Sequence, residues 1–145
     1  MEGAGYECWR IDDNIRAIGS NWGADILMEY AHLIARLERA LEHGGGGYSV
    51  PDIVDGLEHG RFQIFHNSAA LAITEIVQCP QKRYLNIFLA AGELKSVVRL
   101  HYKVEKFARK HECNYMQATA RKGWEKFEPQ FGWNSTHTVY TRDLT

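Results

Sequence analysis

Three short runs of alternating apolar and polar residues, then a helical repeat that begins at a single glycine, constrain this chain most. RFQIFH (61–66), ALAITEIV (70–77) and YLNIFLAA (84–91) each read as a strand. Turn chemistry separates them: His66-Asn67-Ser68 in the first gap and CPQKR in the second. Gaps this short predict an antiparallel meander, with Leu85, Ile87 and Leu89 on one face of the third strand. After Gly92 the period changes. Leu94, Val97, Val98, His101, Val104, Phe107 and Ala108 form the inward stripe of a helix over Glu93–His111. YMQATA (115–120) follows as a short strand, and the intervening helix makes it a parallel neighbour of YLNIFLAA.

The flanks are predicted less sharply. YECWRI is a candidate first strand. Ile26, Tyr30, Leu33, Ile34, Leu37 and Leu41 fall on one face of a helix over Asp25–His43, which ends at Gly44–Gly47. Those four glycines lack the Lys-Ser/Thr and the preceding strand of a phosphate-binding P-loop. Ser49 followed by Asp52 predicts a capped helix start, with Ile53, Val54 and Leu57 inward and Gly60 as its stop. GWEKFEPQFG is a short helix anchored by Trp124, Phe127 and Phe131, and WNSTHTVYTRDL is a final strand. The expectation is one domain, with an N-terminal helical region over 1–47 and a core over 48–145.

Composition excludes several classes. With 45% hydrophobic and 12% aromatic residues, the chain has the means to pack a core. No apolar run approaches the roughly 20 residues needed to cross a bilayer. MEGAGYECWRIDD is acidic and has no apolar stretch of the signal-peptide kind, so a cytoplasmic location is expected. Cys8, Cys79 and Cys113 are odd in number and far apart, which argues against a disulfide framework. Charge is uneven: residues 1–80 hold 12 acidic and 5 basic side chains, and residues 81–127 hold 4 acidic and 11 basic. Such asymmetry suits an anionic ligand or an acidic partner surface. The sequence lacks HExxH, CxxC and other metal-ligand spacings, so no metal is expected. It also lacks helix-turn-helix, RRM and zinc-finger patterns, so nucleic acid is not the expected partner.

In this order, TEIVQCPQKRYLNIFLAAGELKSV, FARKHECNY and ARKGWEKFEPQFGW, with Gly123-Trp124 and Gly132, resemble the GNAT superfamily of N-acyltransferases. The nearest resemblance is to compact GNAT-like proteins of tailed bacteriophages, over about residues 52–144. The resemblance implies an α+β fold, a mixed and mainly antiparallel sheet flanked by helices, with a long N-terminal helix. It also implies acetyl-CoA as cofactor. A slot would open beside Phe88, Leu89 and Ala90, and a phosphate turn would form at Ala91 and Gly92, with Lys95 and Arg99 close by. Glu75 is the expected base and Tyr140 a substitute for the acid that such enzymes carry. The shortened AAGELKS has one glycine where active members carry more, and Glu93 is placed to cap the helix start with its carboxylate. The alternative is therefore a non-catalytic GNAT-like phage protein. It would act in virion assembly or partner binding, as a homo-oligomer or with a phage or host protein, in the host cytoplasm or the virion.

Overall fold

The computed structural model describes residues 9–10, 37–42, 47–67, 69–120 and 131–145. The elements are β1 (Trp9–Arg10), α1 (Val50–Glu58), β2 (Gln63–His66), β3 (Ala70–Gln78), β4 (Arg83–Gly92), α2 (Leu94–Lys110) and β5 (Tyr115–Ala118). Residues 37–42 are also helical. Much of the expected Asp25–His43 helix, and the 123–132 helix apart from Phe131 and Gly132, lie outside the described residues.

Each element follows from local chemistry. Ser49 and Asp52 form the expected capping box: the Ser49 N–H donates to Asp52 Oδ2 at 2.8 Å, and the Asp52 N–H donates back to Ser49 Oγ at 3.4 Å. Ile53, Gly56 and Leu57 are the buried face of α1. Gly56 is obligatory there, because a Cβ would lie 2.2 Å from the Phe62 ring. The helix ends in a His59 C-cap, and Gly60 turns the chain at φ +75°. The three meander strands pair antiparallel, β2 with β3 and β3 with β4, while β1 pairs with the far end of β3. Within β2 and β3, the buried Gln63 and Thr74 satisfy each other, Thr74 Oγ1 donating to Gln63 Oε1 at 2.9 Å.

Alternation along β3 sends its side chains to two layers. Leu71 and Ile73 join Leu37, Leu41, Ile53, Leu57, Phe62 and Ile64 on one face. Ala70 and Ala72 meet Leu100 of α2 on the other, where Leu85 also packs with Val104 and Ala108. α2 runs within one residue of expectation, but its buried stripe is Ser96, Leu100, Val104 and Ala108. Leu94, expected inside, is 41% exposed. The helix is rotated because its start is tied down: Asn67 Nδ2 donates to the Ser96 carbonyl at 3.0 Å. β5 pairs parallel with β4, as the crossover predicts.

Three further expectations are corrected. Residues 133–145 contain no strand and, Trp133 apart, are exposed. In Asn134–Thr145 only Val139, Tyr140 and Leu144 are large hydrophobics, at 66%, 89% and 89% exposure, too little burial to offset the cost of ordering a strand. Leu89 does not share a face with Leu85 and Ile87, because an extra residue, Phe88, shifts the register between them. Cys79 is disulfide-bonded, whereas Cys113 is a free thiol. The β1–β3 pairing, which sets Trp9 opposite Gln78, brings segments together that sequence separation keeps apart.

Candidate functional site

The site is built around one irregularity in β4. Going up the strand, Ile87 pairs with Thr74 and Leu89 pairs with Ile73, so Phe88 has no opposite residue on β3. A bulge of this kind bends its strand and ends regular pairing. On the other edge of β4 the parallel ladder to β5 runs from Tyr84↔Tyr115 to Ile87↔Ala118 and stops there. From Leu89 to Gly92, β4 pairs with β3 but not with β5. The parallel ladder therefore ends where β5 ends, at the level of the bulge. The β4 edge beyond that level can pair with an extended amide-bearing ligand as a further strand would.

A cavity of about 80 Å³ opens at the bulge, lined by Ala40, Leu41, Gly47, Tyr48, Phe88 and Leu89. The Phe88 ring is held there edge-on to Tyr48, with centroids 4.7 Å apart, and stacked on Phe62 at 5.2 Å. The lining is apolar apart from the Tyr48 hydroxyl and the backbone. A cavity this size takes a few heavy atoms, not a large ring system.

Two rows below the bulge lies a polar band. Glu75 on β3 is opposite Asn86 on β4, which is opposite Gln117 on β5. Glu75 is only 5% exposed, and Asn86 Nδ2 donates to its Oε2 at 2.9 Å. The residue spacing of a strand puts Glu75 about 7 Å along β3 from Ile73, the residue opposite Leu89. Lys82 and Arg83 have other contacts. Arg83 Nε donates to Gln78 Oε1 at 2.9 Å and Nη1 to the His111 carbonyl at 2.7 Å. Lys82 stands over the Tyr115 ring at 6.0 Å.

The turn above the slot is tight. Gly92 has φ +125°, and a Cβ there would lie 2.3 Å from the Ala69 carbonyl oxygen. The Glu93 N–H donates to that same oxygen at 3.2 Å. Glu93 holds the N-cap position, but its carboxylate makes no cap hydrogen bond, contrary to expectation. The first-turn amides of α2 therefore keep the orientation and dipole that favour an anion. Lys95 and Arg99 are exposed on the first two turns.

Phe88, Leu89, Ala90, Ala91, Gly92 and Lys95 thus follow one another from the bulge to the helix start, with Glu75 two rows away. Tyr140 is not brought to them; it is 89% exposed in the C-terminal segment. Asn86, Gln117 and Tyr48 were not singled out from the sequence. Asn86 could have been, as the lone amide inside YLNIFLAA. Tyr48 carried no local signal, because only its packing beside Phe88 and Leu89 of β4 puts it at the cavity.

A second unforeseen arrangement lies on α2. His101, expected to be a core histidine, is half-buried, and Trp133 Nε1 donates to its Nε2 at 2.9 Å. Because an indole N–H can only donate, that ring nitrogen is unprotonated and the imidazole neutral. Burial holds the His101 pKa below its ordinary value, against an opposing pull from Glu105, whose carboxylate is 4.0 Å from Nδ1. Among the described residues, His, Cys, Asp and Glu do not cluster in a way that could hold a metal ion.

A mainly antiparallel sheet with a bulged β4, one parallel neighbour and helices on both faces defines a GNAT-like fold. Solved structures agree. A probable acetyltransferase superposes with a TM-score of 0.62 at 12% identity, over 84% of this chain and 94% of that chain. A tetramutant of a Bacillus halodurans protein gives 0.62 at 9% identity, over 81% and 96%. An aminoglycoside N-acetyltransferase in complex with CoA gives 0.55 at 12% identity, over 79% and 91%. At these identities the likeness is one of fold. No protein-family model matches the sequence, and no curated protein is detectably similar to it.

Proposed function

We propose that this chain is an N-acyltransferase that takes a short acyl group from acyl-CoA to an amine. The observation that carries the reading is the coincidence at Phe88 of the β4 bulge, the end of the β4–β5 ladder and the cavity. The residues fit the arm of the cofactor: the freed β4 edge can pair with its amides. They fit its phosphates less fully, because the Glu93 amide is used by Ala69. Lys95 and Arg99, with the amides of Leu94 and Lys95, would hold the phosphates. When bound, CoA supplies an activated acyl thioester.

The chain's own groups do the rest. Glu75 accepts the proton from the acceptor ammonium through water, so that the free amine can attack. Asn86 holds the carboxylate in place by its 2.9 Å hydrogen bond. Backbone N–H groups on the freed edge of β4 polarise the carbonyl under attack. Tyr48, in the cavity wall, replaces Tyr140 as the hydroxyl nearest the reacting centre.

Native mass spectrometry with and without acetyl-CoA tests the reading and also reads the assembly state. Acetyl-CoA at 100 times its dissociation constant should raise stability by about 2.7 kcal/mol. No adduct and no thermal shift at millimolar acetyl-CoA overturns it. A second reading, a GNAT-like protein that binds a partner without CoA, is favoured by Gly92 packed on Ala69 and Ala70. A role in a phage particle belongs to that reading, and copurification with particles would support it.

A further inference from the structure

The near-zero net charge hides a separation across the sheet. On one side, Glu38 and Glu42 of the 37–42 helical segment and Asp52, Asp55 and Glu58 of α1 are exposed. On the other side, α2 exposes Lys95, Arg99, Lys103, Lys106, Arg109 and Lys110. Strand alternation puts these two sets on opposite faces, since the α1 layer packs on Leu71 and Ile73 and α2 packs on Ala70 and Ala72.

The basic residues do not ring the helix. Lys95, Arg99, Lys103, Lys106 and Lys110 succeed one another at three- and four-residue intervals, which keeps them on one strip. At a 1.5 Å rise per residue, the strip is about 22 Å long. Glu105 compensates Arg109, at 2.8 Å. The other five have no ion-pair partner among the described residues. In the middle of the strip stands Tyr102, 65% exposed, one residue from Lys103 and one turn from Arg99 and Lys106.

We propose that this strip binds single-stranded nucleic acid. A line of uncompensated cations tracks a phosphate backbone, and an exposed aromatic ring among them offers a stacking face to an unpaired base. Charge alone would equally suit an acidic protein, but Tyr102 sets a ring face among the cations on which an unpaired base can stack. An anionic membrane would call for several apolar side chains beside the cations, and the strip has one ring. The acidic helices on the opposite face confine the contact to one side, so that a strand lies along α2 rather than being enclosed.

Fluorescence anisotropy with a labelled mixed-sequence 20-nucleotide single strand tests this on the full chain. Four to five phosphate contacts predict a fall in affinity of roughly 50-fold to 130-fold between 50 and 200 mM salt. The double reversal Lys103→Glu with Lys106→Glu lies outside the slot and should lower affinity at least tenfold at 50 mM salt, with the melting temperature unchanged. Tyr102→Ala should weaken the single strand about tenfold and leave the duplex unchanged. No binding at 50 mM salt, indifference to the charge reversal, or equal competition by polyglutamate overturns the proposal. An equal or greater affinity for duplex overturns the single-strand assignment.

Discussion

The two halves of β4 differ in what they are asked to do. Arg83–Ile87 is paired on both edges, to β3 and to β5, and its Leu85 is fully buried against Val104 and Ala108. Among the described residues, Leu89–Gly92 is paired to β3 alone, and Phe88 and Leu89 line a cavity. One residue of bulge separates a stretch that holds the sheet together from a stretch left open to a ligand. The same strand thus supplies rigidity and access, and the rigid half positions the open one.

The sharpest way to break this contrast is Glu75→Gln. As a positioned base, Glu75 should contribute about 10²-fold to 10⁴-fold to acyl transfer. Its loss should leave the fold intact, because an amide can keep the contact with Asn86. A steady-state assay with a panel of amines and acetyl-CoA measures the drop, and an unchanged rate removes Glu75 from the mechanism. Next comes Leu85→Ala in the closed half. It should destabilise by about 3 kcal/mol, read by urea unfolding, without selectively weakening acetyl-CoA binding in the folded protein. Phe88→Ala in the open half should show the reverse balance. Its ring is part-buried, so the stability loss should be smaller, about 2 kcal/mol, while acyl-CoA affinity falls and longer acyl chains are admitted. Equal stability losses for the two would erase the distinction between the halves.

The smallest effect concerns pH and lies beyond the open half, on α2. The unfolded chain binds a proton at His101 near its ordinary pKa of about 6.5, whereas the folded chain holds that pKa lower. Between the two values the unfolded state carries more protons, so stability falls as pH drops below about 6.5 and is complete above it. The Trp133 indole N–H resonance should shift over the same range while the amides of Arg83–Ile87 stay unchanged. A shift spread over both would show the C-terminal contact and the sheet to be one unit.

Much of this was readable in the chain. The capping box at Ser49 and Asp52, the meander of β2, β3 and β4, the span of α2 and the parallel return of β5 rest on local periodicity and turn chemistry. The strand-glycine-helix junction also pointed to residues 88–95. What was missed depends on neighbours. The bulge at Phe88 is invisible to an alternation count, because an extra residue shows only against the partner strand. The rotation of α2 reflects Asn67 holding the Ser96 carbonyl, a contact across 29 residues. Thr138, Val139, Tyr140 and Thr141 have the β-branched and aromatic make-up of a strand, yet gain nothing by it.

Residue order by itself determined that Val50–Glu58 and Leu94–Lys110 are helices and that β2 to β5 are strands, because hydrogen bonding and side-chain periodicity within a segment decide that. It determined as well that Gly92 would stand at the junction of β4 and α2. Only the tertiary structure decided that the β4–β5 ladder ends at the level of Phe88, that Glu75 and Asn86 share a row beneath the opening, and that positive charge gathers on one face of the sheet. Those are relations between segments distant in sequence, set by register and by the packing of two layers on opposite faces.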